Sequence, residues 1–495
     1  MTVIIPKVFF ITALAAVLVF SMTGISYQQL DLFFDEIEED TQDEDEEVIE
    51  EEEEEAPEDE ILIEDTQDED EEVIVEEEAP EEEEEEGPCI DYEVAENTIE
   101  INCNSSFLDV VEAMNDPEIL ENLGNGEYLL QANLQVADGV TFTMTSSEDG
   151  LRYLKLAGAN GISIHGRIEI SGIIITSWDT ETDSPISQTE TGSIPRAFIN
   201  LRVSEGGFIE DSELAYLGYA APPRRGIDLG ESTEGPSHDF TIRNSTIHDN
   251  WMGFYSAGAY NIIIDGNRFF NNIKYAIDPH TGTHNMTLSN NKIFSNKGIA
   301  VICSLECHDV IFEGNEVYNN AGSGLMFSRG THDSTIRNNL IYNQYGSAYP
   351  ISIFESRNNE IYGNTISNSS TGISVHNPVQ LDEDGISSDN RAFNNTFDNV
   401  QNAIRAAASS NNTFSSNVFG NVTEFHYVMS MGASMNIESQ IFHTVDARGF
   451  SGSNTFTITN SGTVIIDNTT NHDTDSAPYT AVLSGQSINI NSAGG

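Results

Sequence analysis

IIIDGNRFFNNIKYAIDPHTGTHNMTLSNNKIFSNKGIAVICSLECHDVIFEGN, residues 262–315, decides the fold. A short β-branched or aromatic run ends in Asn, a second short run follows, and the pattern returns, with Asn267, Asn291 and Asn315 each 24 residues apart. Outward from this stretch the same signature recurs at FTIRN (Asn244), STIRNN (Asn339), EIYGN (Asn364), RAFNN (Asn395) and TFSSN (Asn417), at intervals between 22 and 31 residues. Glycines such as Gly253, Gly298, Gly324 and Gly372 fall between these marks, each before an alternating apolar strand. A repeat of this length denotes a solenoid, and short strands closed by Asn/Gly turns make it a β rather than a helical one. Asn tolerates the left-handed backbone of a sharp turn, and Asn stacked in successive coils can form a side-chain hydrogen-bond ladder.

We therefore expect an all-β chain, a right-handed parallel β-helix forming a single solenoid over residues 136–425. An all-β sandwich would not hold its spacing so constant. Each coil leaves its apolar interior open at both ends, so caps are needed. Residues 89–135 are the expected N-terminal cap, with one or two helical turns in Ser105–Leu123. Residues 426–495 lose the Asn signature but keep alternating runs, and are expected to be irregular β coils or a small β cap.

The N-terminus reads as an export segment over residues 1–26: Lys7 precedes 13 residues, Val8 to Phe20, broken only by Thr12. That is short for a membrane span and suits a signal peptide or anchor. Residues 27–88 form an acidic spacer, in which residues 31–86 hold 36 Asp and Glu and no Lys or Arg. EDTQDEDEEVI occurs twice in it, at 39–49 and 64–74. Such a block cannot bury enough apolar surface to order itself. The rest of the chain carries 47 acidic against 19 basic residues, so no basic stripe exists to neutralise phosphates and nucleic acid is excluded as a partner. A secreted or cell-surface monomer is expected, touching a membrane only through its N-terminal segment.

Four cysteines in an exported chain suggest disulfides, and Cys89–Cys103 with Cys303–Cys307 is the simplest of three connectivities. Their spacing does not favour zinc.

One coil departs from the pattern. NNIKYAIDPHTGTHN, residues 271–285, gathers Lys274, Tyr275, Asp278, His280 and His284. On an extended strand Asp278 and His280 share a side. Imidazole holds or releases a proton near neutral pH, Tyr acts at higher pH, and a nearby Asp raises imidazole basicity. The competing reading is a set of stacked surface residues. Ten of the 19 Lys and Arg fall in residues 224–357, among them Arg225, Arg268, Lys274, Lys297 and Arg329. Local cations of this kind are what an acidic polymer requires.

YAIDPH at 275–280 resembles the Y-x-x-D-P-H signature of the mannuronan C-5 epimerases. SELAYLGY (212–219), GFYSAGAYNIIIDGNRFFNN (253–272), SGLMFSRG (323–330) and ISIFESRNNEIYGN (351–364) are similar to the same family, over roughly residues 200–380. The resemblance implies a β-helix acting on a polyuronate, with His280 and Tyr275 as the proton-transfer pair and Asp278 as the partner that sets their state. Arg329 matches a recurrent family arginine, and Lys274, Lys297 and Arg268 are further candidates for substrate contact. Calcium is a candidate cofactor, and no metal ligand is assigned. One coil after the D-P-H strand the family places a charged residue where this chain has Ile302 or Cys303. Neutralisation of the sugar carboxylate is thereby shifted to Lys274, Lys297 or Arg329. A polysaccharide lyase of the same fold, or a non-catalytic carbohydrate-binding or structural surface protein, are the alternatives.

Overall fold

The computed structural model describes residues 88–495, except 233–234, 345–347, 378–385, 431–432 and, beyond residue 438, everything but the strand backbones. The export segment and acidic spacer lie outside the described residues. The described part is a right-handed parallel β-solenoid of about 12 turns with very little helix.

Each coil supplies three strands. One full coil runs Phe254–Ala257, Tyr260–Asp265 and Arg268–Phe270, and the next begins at Ile277–His280. Strands of successive coils pair in parallel, residue on residue. The first face carries the candidate site. Its strands are β1 (Ile199–Leu201), β2 (Ile227–Leu229), β3 (Phe254–Ala257), β4 (Ile277–His280), β5 (Val301–Cys303), β6 (Leu325–Phe327), β7 (Ile351–Phe354), β8 (Thr365–His376) and β9 (Thr396–Ala407). Register stacks Ile227, Phe254, Ile277, Val301, Leu325, Ile351, Ile373 and Ile404, all with no solvent exposure, into one inward column. Burying an aliphatic side chain of this size contributes roughly 1.5–3 kcal/mol, so stacking supplies the stability that a single coil lacks.

The expected Asn ladder is present. Asn267, Asn291, Asn315, Asn339, Asn364, Asn395 and Asn417 are buried, and each side-chain amide donates to the Oδ1 of the next at 2.9–3.1 Å. Two details correct the sequence reading. The ladder asparagines do not adopt the left-handed turn conformation; the residue before each does, as at Asn290, Asn338 and Asn394 with φ 54–57°. The outer residue makes the bend, and the ladder residue turns inward. Asn244 is therefore one of the bending residues, and Ser245 takes its ladder place, its N–H donating to Asn267 Oδ1 at 2.8 Å. The glycine marks have a steric cause: a Cβ on Gly298 would strike the Lys274 carbonyl of the coil below, and one on Gly324 the Pro350 carbonyl of the coil above.

The caps also differ from expectation. Helix α1 is Phe107–Met114, opened by a capping box between Ser106 and Asp109 and stopped by left-handed Asn115. Leu120–Gly124, expected within the helical turns, is a strand antiparallel to Glu127–Leu130. Phe107 and Val110 face the first coil, and the ring of Phe107 meets Tyr128 edge-on at 5.1 Å. The Cys89–Cys103 disulfide forms here, with Cα atoms 5.2 Å apart. Parallel stacking already begins at Thr98–Ile101 on Asn133–Val136, and it continues through His443–Ala447, Val464–Asp467 and Ile488–Asn491. The solenoid outruns the Asn signature because alternating apolar residues, not the ladder, define a coil.

Candidate functional site

In β4 all four residues are buried, for two different reasons. Ile277 belongs to the continuous interior cluster, and Pro279 stacks in register on Ser256. Asp278 and His280 leave the opposite side of the strand, outside that cluster, and are 3% and 7% exposed. Tyr275, 8% exposed, lies in the turn entering the strand and is also outside the interior cluster. Tyr255, Ile302, Met326 and Phe354 are likewise buried without joining the interior. This face thus carries a second layer of covered side chains on the outside of the solenoid wall.

His280 Nδ1 lies 2.6 Å from the Thr281 hydroxyl, and its ring is 5.6 Å from that of Tyr255 in the coil below. Tyr255 stacks in register beneath Asp278, and the guanidinium of Arg225 sits 4.1 Å from the Tyr255 ring centre. Arg225 is held by Asp228 Oδ2 at 3.1 Å, and Arg202 takes the other oxygen at 3.2 Å. Asp228 is 1% exposed; burial raises its carboxyl, against the pull of Arg225 and Arg202.

On the other side, Ser304 stacks on His280. Arg329 reaches back to it, with Nε and one terminal nitrogen 3.3 and 3.1 Å from the Ser304 hydroxyl. Burial raises the Glu355 carboxyl, and Arg329 opposes this. Beneath the strand, the Cys307 thiol donates to the Pro279 carbonyl at 3.4 Å and to that of Ser304 at 3.3 Å. Cys303 and Cys307 are both free thiols, correcting the expected second disulfide: Cys307 is spent on backbone carbonyls within the core. Burial, Cys307 and then the charge of Asp278 push the Cys303 thiol well up.

Asp278, His280 and Arg329 therefore share one neighbourhood. Tyr275 and Lys274 occupy the turn leading into it, with Lys274 Nζ 4.9 Å from the Tyr275 ring centre. Lys297 is exposed in the equivalent turn one coil on. Arg268 belongs to a different face: it stands exposed on the strand Arg268–Phe270, beside the Phe270 and Phe294 rings. Ile302 follows Val301, which pairs with Ile277, so the position over Asp278 is apolar. Among the described residues, no group of three or more His, Cys, Asp or Glu is placed to hold a metal ion.

Sequence reasoning counted Arg225 only among the local cations and did not select Asp228, Arg202 or Tyr255. A signal was available: Ile227-Asp228 repeats Ile277-Asp278 two coils earlier, in the same column.

A fold of stacked parallel coils with covered titratable side chains on one outer face defines a class, and comparison supplies the family. The chain belongs to the right-handed β-helix family, whose "Right handed beta helix region" matches residues 98–293, 225–378 and 281–470. The relatives it resembles include a mannuronan C5-epimerase of Pseudomonas aeruginosa, 26% identical over 171 residues, 32% of this chain and 31% of that protein. Another is the mannuronan C5-epimerase AlgG of Azotobacter vinelandii, 26% identical over 165 residues, 31% of this chain and 30% of that protein. The matched segment thus spans about a third of these relatives. Among solved structures, the periplasmic alginate epimerase AlgG superposes with a TM-score of 0.60 at 18% identity, covering 79% of this chain and 85% of that one.

Proposed function

We propose that this chain is an extracellular polysaccharide-modifying enzyme of the mannuronan C-5 epimerase type, converting β-D-mannuronate to α-L-guluronate residues within a polyuronate. One observation carries the reading: Asp278 and His280 leave β4 together, covered yet outside the core, with the Arg329 guanidinium drawn to the serine stacked on His280.

The C-5 proton of a uronate is a poor acid until the adjoining carboxylate is neutralised and the enolate-like charge is stabilised. Arg329, held at the serine stacked on His280, supplies the positive charge in place of the apolar Ile302. His280 and Tyr275 form the proton-transfer pair: one removes the C-5 proton and the other delivers a proton to the opposite face of the ring. The two groups then exchange protons with solvent, so the reaction is balanced with no co-reactant. Thr281 holds Nδ1 of His280, which assigns the transfer to Nε2, and Asp278 is the partner that sets the protonation state of the pair.

Incubation with polymannuronate in heavy water tests this. The expected result is deuterium at C-5 and new guluronate signals, without the absorbance of unsaturated chain ends. Unsaturated ends would identify a lyase instead. His280→Ala and Tyr275→Phe should each abolish turnover and leave the β-rich circular dichroism unchanged. Full activity in both variants would remove the site assignment.

A further inference from the structure

The outward column that carries Asp278 continues past the acid–base pair. Three to five coils on it reads Ser352, Ser374 and Arg405 in direct register, while the column of His280 reaches Phe354 and His376. Arg405 donates to the Ser374 hydroxyl at 3.2 Å, and that oxygen lies 3.0 Å from His376 Nδ1. Arginine only donates, so the Ser374 oxygen accepts from Arg405, and the imidazole tautomer sets the direction of its contact with Nδ1. Burial, and then the charge of Arg405, push His376 down to about 3, which keeps it a neutral N–H donor. The rings of Tyr349 and Phe354 flank it at 5.5 and 5.2 Å. Next to Ser374 stands Ser352, 1% exposed, whose hydroxyl has no hydrogen-bond partner among the described residues. A buried orphan hydroxyl is costly, and a ligand group or a water that reaches it completes the bonding.

A cation, an unsatisfied hydroxyl and a neutral N–H donor flanked by aromatic rings match the carboxylate, hydroxyls and C–H faces of an acidic sugar. We propose that Ser352, Ser374, His376 and Arg405 form a second subsite, which binds a distant uronate residue of the same polymer whose reacting residue sits at His280. This rests on the reading of the first site as one for polyuronate. His376 lies four coils from His280, about 19 Å at the usual 4.8 Å per coil. One coil is comparable in length to one pyranose residue, so the polymer lies along the solenoid axis with about three sugars between the two that occupy the sites.

The test is titration calorimetry of the full chain with mannuronate oligomers of defined length. Arg405→Ala should weaken binding about tenfold for oligomers long enough to span both sites, and not at all for oligomers of about three residues, consistent with a lost charged contact. With polymer, KM should rise while kcat stays unchanged. Ser352→Ala deletes only an unsatisfied hydroxyl and leaves the fold intact; it should cost about threefold at the same lengths. Weakening equal at every length, no weakening in either variant, or no oligomer binding by the wild-type chain would overturn the subsite. Length-dependent loss without any deuterium incorporation by the wild type would retain the subsite and remove the epimerase reading.

Discussion

Asn315 shows how much one side chain carries in this fold. Its amide donates to Leu288 O and Asn339 Oδ1, and its Oδ1 accepts from the backbone and side-chain nitrogens of Asn291, all at 2.9–3.0 Å. Asn315→Ala would orphan groups in three coils and should cost about 3 kcal/mol or more in urea melts. Asn285→Ala, on the exposed neighbouring ladder, should cost about 1 kcal/mol, mostly from its left-handed backbone, since it orphans no buried group. His248 offers a pH-dependent contrast. Its Nδ1 lies 2.6 Å from Asp249 and its Nε2 3.3 Å from Glu213. Burial alone would lower its pKa, but the hydrogen bonds to Asp249 and Glu213 outweigh burial and raise it. A raised folded value gives stability that is fully present below the ordinary imidazole pKa and lost as pH rises through the raised one. His248→Gln should therefore lose more stability at about pH 5.5 than at about pH 8.5. Equal losses would mean that the pairs contribute no charge.

At the scale of elements, the turns decide where the chemistry sits. Arg196 has no exposed surface, and its guanidinium donates to the carbonyls of Ile186, Leu217, Gly218 and Asp249 at 2.7–3.2 Å. It ties three separate segments into the wall beside Arg225. Arg196→Met should cost about 3 kcal/mol through orphaned carbonyls, with a lower thermal midpoint. The strands, the ladder and the D-P-H coil were legible because each depends on residue types repeated at fixed intervals. The roles of Arg225 and Arg268 were not. An arginine reaches across two coils, and which face it joins depends on how an irregular turn enters the next strand. Cys303 and Cys307 were misleading for a related reason: even counts say nothing about which thiols backbone carbonyls will claim. Ser245 replaced an asparagine in the ladder without breaking it, so the period alone placed that rung one residue off.

Over the whole molecule, one covalent link closes the first coil while two thiols lie deep in the middle. Both inner thiols have no exposed surface, and that of Cys303 is shifted well up. A thiol-reactive dye should find no sites among the described residues of the native chain, and two after denaturation without reductant. Reductant should lower the thermal midpoint, since a loop with a sequence separation of 14 contributes about 3 kcal/mol when closed. The position of that staple has a directional consequence. Stacks of like units fail at their weakest end, and here one end is clamped covalently and plugged by a helix. A front of fraying that starts at the opposite side of the stack would detach the segment around Arg405 before the segment around His280. If the proposed roles of these two segments hold, a warmed or mechanically loaded molecule would first lose its grip on long chains, and only later its ability to exchange a proton.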